Sequence, residues 1–250
     1  MHPKFGHVLG RLSRLLPNTT RIKTANVNAQ FFLPIFTHHV GKDLCELRRG
    51  RREPALYDWI ESFDDGSVFF DVGTHYGQEV VWASCLDDKS ITVIGFDCGL
   101  LPAHCCAVNR VLNKQAFELV FAAVGDRTGD PVTITANSDT HIPRLHRKNV
   151  PYSYQVISLA LDDFVQHRKL SPTHLKIDVD GHERAVIDGA KSLLSGTILK
   201  EIFIEIDPVN KGLERIIESY GFTAIWENHK PQNSEYLFKK TGGYQIDSLT

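Results

Sequence analysis

The hydrophobic positions of this chain fall into two regimes. In the first stretch Phe5, Val8, Leu9, Leu12, Leu15 and Leu16 recur at helical spacing, with Arg11 and Arg14 between them. That spacing predicts an amphipathic helix. Pro17-Asn18-Thr19-Thr20 breaks it, and an irregular apolar segment follows around Phe31-Phe32-Leu33-Pro34-Ile35-Phe36. From residue 53 the pattern becomes regular. Residues 53–63 read as a helix and Asp64-Asp65-Gly66 as a turn. Short apolar runs then read as strands at Val68–Phe70, Ile91–Phe96, Glu118–Val124, His174–Val179 and Glu201–Ile206. They alternate with helical stretches at 77–86, 100–113, 160–169, 183–195 and 211–220. Val132–Ala136 and Tyr154–Ser158 fit extra strands or a hairpin. Buried strands alternating with helices imply a parallel, doubly wound α/β sheet covered on both faces. The last two strands, Gly221–Trp226 and Glu235–Lys239, flank the turn-like Asn228–Ser234 and read as an antiparallel hairpin.

Composition narrows the class. With 250 residues, 42% hydrophobic and 23% charged, the chain fits one α/β domain preceded by an extension. The expected division is an extension over 1–52 and a domain over 53–250. No apolar run has the length of a membrane span and no signal-peptide pattern opens the chain. Five cysteines, an odd number without C-x-x-C spacing, favour reduced thiols in a cytoplasmic protein over a disulfide or zinc framework. The net charge of −2 is unevenly spread: residues 1–52 carry ten Lys and Arg against two acids, +8, which leaves −10 for the rest. Such a segment suits an anionic acceptor, a membrane surface or an acidic face of its own domain. Packing of the first helix on the domain, or on a second subunit in a homodimer, is favoured over membrane contact. It is expected on the acceptor or subunit side, away from the cofactor. Nucleic acid is disfavoured, because the domain itself is acidic and shows no basic-aromatic strip.

The sharpest chemical signal is Asp71-Val72-Gly73-Thr74-His75-Tyr76-Gly77, between a strand and a helix. Gly73 permits a tight turn with close backbone approach, and Gly77 lets the helix start pack on the strand. The helix N-terminus suits a carboxylate, and Asp71 can accept from a ligand ammonium. Twenty residues after Gly77, Asp97 ends the second strand, where a carboxylate can take both hydroxyls of a ribose. Together these point to an adenosine-containing ligand. NAD would require G-x-G-x-x-G for its pyrophosphate, yet position 75 is His and position 71 is an acid. S-adenosylmethionine (SAM), with an ammonium and no phosphate, fits better.

The chain resembles the FkbM family of SAM-dependent methyltransferases. The resemblance runs from the 71–77 motif through "VIGFD" (93–97), Asn109 and Asn113 of "NRVLN", "AAVGDRTG" (122–129) and "SLALDDF" (158–164) to "LKIDVDGHERAVIDGAKSLL" (175–194). Thr74-His75 replaces the family's usual Ala-Asn, Asp97-Cys98 its Glu-Pro, and His182 follows Gly181. The resemblance implies a Rossmann-like class I methyltransferase sheet, mostly parallel with the antiparallel C-terminal hairpin. It implies SAM contacts from Asp71, Gly73, Thr74, His75, Gly77, Asp97 and Cys98, with Ala123 and Val124 bordering the adenine. It also implies O-methylation of a small acceptor, such as a sugar or glycosylated metabolite.

An alcohol needs help to attack a sulfonium methyl, and Asp178 or His182 is the expected base. Lys176, Asp178 and Asp180 alternate along one strand and should share a face, while Asp180 and Glu183 fit helix capping equally well. Asp178, Glu205 and Asp207 could alternatively hold Mg²⁺, which ranks below a simple base, so no metal ligand is assigned. Neither His38-His39 nor His141 and His146 has chelating spacing. Phe31, Phe32, Phe36, Tyr152 and Tyr154 read as core or, second, as an acceptor wall. Two rival readings are a non-catalytic SAM-binding or scaffolding protein and a nucleotide-sugar-binding enzyme whose basic arm holds phosphates.

Overall fold

A computed structural model describes residues 18–33, 38–114, 116–136, 144–145 and 152–241. The N-terminal helix expectation, Phe36, His141, His146 and the side chains of His38, His39 and Tyr152 lie outside the described residues.

Consecutive side chains of a buried strand point to opposite faces, and this one alternation organises the molecule. Strand β3 (Val68–Val72) sends Phe69 into one hydrophobic cluster and Phe70 into another. Around it run β4 (Thr92–Asp97), β5 (Glu118–Phe121), β10 (His174–Ile177), β11 (Glu201–Ile206), β12 (Phe222–His229) and β13 (Ser234–Lys240). They form one seven-stranded sheet in the order β12-β13-β11-β10-β3-β4-β5. The five strands from β5 to β11 are parallel, while β13 pairs antiparallel with both β11 and β12. The fold is thus the doubly wound, Rossmann-like sheet of class I methyltransferases, closed at one side by the expected hairpin.

One face is covered by α1 (His38–Arg48), α2 (Pro54–Glu61), α3 (Gln78–Ser84) and α4 (Leu100–Leu112). The other is covered by α5 (Leu161–Arg168), α6 (Glu183–Asp188), α7 (Lys191–Ser195) and α8 (Leu213–Ser219). A smaller four-stranded sheet, β6 (Ala123–Val124), β7 (Pro131–Ala136), β8 (Arg144–Leu145) and β9 (Tyr152–Leu159), packs beside the end of β4. Among the described residues no helix is long and apolar enough to cross a membrane.

Four expectations need correction. The segment before residue 33 is not irregular: β1 (Thr19–Lys23) and β2 (Asn28–Phe32) make an antiparallel hairpin, and α1 follows it. Ile22, Val27, Ala29 and Phe31 are fully buried in the same cluster as Phe69. The strand expected over 118–124 is two. After the Ala122 amide donates to the Asp97 carbonyl at 3.0 Å, the chain leaves the main sheet and Ala123 pairs with Ser158. The helix expected over 183–195 is also two. A Cβ on Gly189 would lie 2.0 Å from the Gly125 carbonyl oxygen, and Asp162 accepts from the Ser192 and Leu193 amides to start α7 afresh. Finally, β10 stops at Ile177 and Asp180 sits in a left-handed turn (φ 50°), so Asp180 does not continue the line of Lys176 and Asp178.

Candidate active site

In a doubly wound sheet ligands bind beyond the C-terminal strand ends where the winding reverses. Here that point lies between β3 and β10, and two differently built edges meet there.

The first edge joins β3 to β4. Gly73 takes φ +85°, and a Cβ there would lie 1.7 Å from the Asp178 carbonyl oxygen. Only glycine lets the turn rest on the β10 end. Gly77 (φ +78°) rests on Cys106, whose Sγ would lie 2.6 Å from its Cβ. His75, at φ +49°, holds a left-handed conformation unusual for a side-chain-bearing residue. The turn's amides are used internally: Gly73 and Thr74 donate to the Phe96 carbonyl at 2.9 and 3.0 Å, and Gly77 donates to Thr74. The His75 amide donates to Asp97 Oδ2 at 2.7 Å, and the Gly99 amide to Asp97 Oδ1 at 2.6 Å. Burial nevertheless raises the Asp97 carboxyl to about 7, against the lowering effect of these two amides.

The small sheet closes this edge. Tyr154 donates from its hydroxyl to the Cys98 carbonyl at 2.9 Å and accepts from the Leu100 amide at 3.2 Å. Cys98 packs on the cluster of Ala123, Ile134 and Val156, and burial pushes its thiol up to about 12. Gly73, His75, Gly77, Asp97, Cys98, Ala123 and Val124 therefore gather along one rim.

Asp71 and Thr74 differ from expectation. Both are 0% exposed, so neither side chain lies at the surface. Its cation is Lys176, whose Nζ lies 3.3 Å from Oδ1. Neither Asp71 oxygen nor the Thr74 hydroxyl makes a well-aligned hydrogen bond, and burial raises the Asp71 carboxyl to about 6 against the pull of Lys176. Thr74 packs on Gly95 and presents no side chain to the crevice.

The second edge is made of side chains from β10, β11 and β13. Buried Lys176 also reaches Asp178 Oδ2 at 3.4 Å. Glu79 is buried and accepts from the Tyr57 hydroxyl at 3.0 Å, and Arg52 bridges to Asp43 at 3.1 Å. Glu205 is half-buried and accepts from the Asn233 side-chain amide. Glu183 is structural: its oxygens take the Gly181 amide at 2.7 Å and the Asn210 side-chain amide at 2.5 Å, tying the loop after β10 to the turn after β11. His182 heads α6 without capping it through its side chain.

Among the described residues no group of three or more His, Cys, Asp or Glu is arranged to hold a metal ion. Asp207 instead caps the Pro208–Asn210 turn by accepting from the Val209 amide at 3.1 Å. Arg52, Tyr57, Glu79, Lys230, Asn233 and Glu235 were not singled out from sequence. The available signal was a charged residue next to an apolar run, as Glu79 is before Val80-Val81-Trp82-Ala83 in α3.

The glycine cradle and Asp97 fit SAM. Each carboxylate oxygen keeps a second lone pair beyond the one its backbone amide uses, and a ribose diol can occupy these.

Comparison with curated protein sequences gives no significant match. Several solved methyltransferases are similar in structure. Fibrillarin from Aeropyrum pernix, with natively bound S-adenosyl-L-methionine, is 10% identical over 74% of each chain, with a TM-score of 0.47. The ribosomal protein L11 methylase of Lactobacillus delbrueckii subsp. bulgaricus is 12% identical over 77% of this chain and 80% of that one, TM-score 0.46. The precorrin-6y C5,15-methyltransferase of Geobacter metallireducens GS-15 is 10% identical over 75% and 87%, TM-score 0.45. The sequence model of the methyltransferase FkbM domain matches residues 71–227, more than half of the chain, from the glycine turn past Glu205, and the chain belongs to that family.

Proposed function

We propose that this domain binds SAM along the β3–β4 edge and transfers its methyl group to a hydroxyl of a small acceptor, a sugar or glycosylated metabolite, lying over the β10–β11 edge. The observation that carries the cofactor assignment is Asp97. It is clamped by two backbone amides beside a turn that only glycine can form, with lone pairs left for a diol. The turn amides from Gly73 to His75 are already engaged, so a pyrophosphate would find no donors among them, which argues against NAD. Bound SAM supplies an electrophilic methyl on a sulfonium; this chain's residues hold it, orient the acceptor and manage the hydroxyl proton. Asp178 and His182 border the acceptor in this reading, and the sugar preference rests on the family resemblance. All five cysteines are unpaired, which suits a reducing, cytoplasmic setting.

Calorimetric titration with S-adenosylhomocysteine tests the cofactor site. Donation by a ribose diol favours ionised Asp97, whose carboxyl titrates at about 7. Binding should therefore strengthen as pH rises, by up to about tenfold between pH 6 and pH 8. Asp97→Asn should bind more weakly and lose this pH dependence. NADH binding without S-adenosylhomocysteine binding would reverse the assignment.

A further inference from the structure

Three carboxylates stand side by side where β10 and β11 end and β13 begins. Glu205 lies opposite Glu235 in the β11–β13 register. Asp178 directly follows Ile177, whose partner Ile204 directly precedes Glu205. The two outer members each have an ammonium. Lys176 reaches Asp178 Oδ2 at 3.4 Å. Lys230 pairs with Glu235 Oε1, and the Asn228 side chain donates to Glu235 Oε2 at 2.9 Å. The middle member has a neutral donor, the Asn233 amide, on one oxygen. It is half-buried, close enough to water to pass a proton on. A carboxylate held in an ion pair must give up that pair to take a proton, and among the described residues Glu205 has no cation in contact to give up. His182 lies off this row, at the head of α6.

We propose that Glu205, rather than Asp178 or His182, is the base that removes the acceptor's hydroxyl proton, while Asp178 stays anchored to Lys176 and orients the acceptor. This rests on the methyltransferase reading above. As the acceptor oxygen bonds to the methyl carbon, the carbon–sulfur bond breaks and its electron pair stays on sulfur. The hydroxyl proton moves to the Glu205 carboxylate and then to water. A sulfonium and a carboxylate become a neutral thioether and a carboxylic acid, so charge and atoms balance. The charges around Glu205 agree with this geometry. Burial raises the Glu205 carboxyl to about 7, Asp178 and Glu235 push it the same way, and Lys230 and Lys176 oppose them. Glu53, at the start of α2, faces both lysines from the covering layer.

The first measurement needs no acceptor: a carboxyl titration by NMR on ¹³C-glutamate-labelled protein saturated with S-adenosylhomocysteine. One resonance, absent from Glu205→Gln, should titrate near pH 7; a Glu205 resonance titrating near the ordinary glutamate value of about 4.3 overturns the proposal. Failure of S-adenosylhomocysteine to bind would sink the cofactor reading instead, and the Glu205 titration would still be readable in the free protein. The second measurement follows methyl transfer from labelled SAM at pH 8 to two probes, methyl α-glucoside and p-nitrophenol, the latter already ionised. Glu205→Gln should lose about 100-fold or more towards the glucoside and stay within a few-fold towards the phenolate. Undiminished transfer to the glucoside overturns the proposal, and if wild type methylates neither probe the titration decides.

Discussion

The two edges of the crevice satisfy their polar groups by different means. At the ends of β3 and β4 the partners are backbone: His75 and Gly99 amides hold Asp97, and the Phe96 carbonyl takes the Gly73 and Thr74 amides. At the ends of β10, β11 and β13 they are side chains, with Lys176 set between Asp71 and Asp178, and Lys230 set on Glu235. Backbone groups tolerate almost any side chain but demand a particular chain path, which explains the positive φ at Gly73, His75 and Gly77. Side-chain groups demand particular residues but little of the chain path. The cofactor edge should therefore be broken by changes in shape, and the acceptor edge by changes in charge.

The largest effect expected from that contrast is Gly73→Ala. The added carbon would sit 1.7 Å from a backbone oxygen, at a φ that L residues rarely adopt. A loss of about 3 kcal/mol or more is expected, or failure to fold. Gly66→Ala is the matched control: its φ is +77° but nothing lies within 4 Å of the added carbon, so only the backbone cost of about 1–2 kcal/mol remains. Thermal melts of both variants measure the difference. Equal losses would mean that the contact between the turn and β10 is not tight.

On the charged edge, Lys176→Met should cost about 3–5 kcal/mol at pH 8, because Asp71 is left as a fully buried, unpaired anion. The sign with pH follows from Asp71 already titrating at about 6 beside Lys176. Without the ammonium its folded-state value rises further above the unfolded one. Stability of the variant should then recover as pH falls towards 5, where the carboxyl takes up its proton. Urea unfolding at pH 8 and pH 5 measures this, and Asp71→Asn in the same background should recover much of the loss at pH 8. A pH-independent penalty would show that Lys176 acts through packing of its stem and not through charge.

The same contrast explains what could be read from the sequence. The cofactor edge is local in sequence: its glycines lie within seven residues and Asp97 follows at fixed spacing, so strand, turn and acid were legible together. The acceptor edge combines residues from positions 52 to 235, brought together by strand order, and strand order is not written in any short window. The ion pair of Asp71 was not legible for a related reason. Its partner Lys176 lies across a β3–β10 pairing, so the nearest visible partner was an imagined ligand. The N-terminal hairpin was missed because Asn28–Phe32 gains its burial from α3 and α4, and five-residue strands carry little periodicity of their own.

That hairpin yields the smallest prediction, and it tests whether the two regimes are connected. The segment was expected to stand apart from the cofactor. Asn109 in α4 nevertheless links the two: it accepts from the β2 amide of Phe32 at 2.6 Å and donates to the Tyr76 carbonyl of the glycine turn at 2.7 Å. Asn113, one helical turn on, accepts from the Gln30 amide at 2.9 Å and donates back to the Gln30 carbonyl at 2.7 Å. Both asparagines replace the strand partner that β2 lacks on that side, but only Asn109 also touches the turn. Removing either leaves backbone groups short of a partner, which costs about 1–3 kcal/mol. Asn109 is the more buried of the two, so Asn109→Ala should lie at the upper end and Asn113→Ala at the lower. The discriminating measurement is S-adenosylhomocysteine affinity on the folded variants. Asn109→Ala should weaken it several-fold, because the Tyr76 carbonyl loses its anchor, whereas Asn113→Ala should leave it unchanged while lowering the melting temperature. Unchanged affinity in both would mean that the turn is held by Gly73, Gly77 and Asp97 alone, and that the hairpin serves only to cover the core.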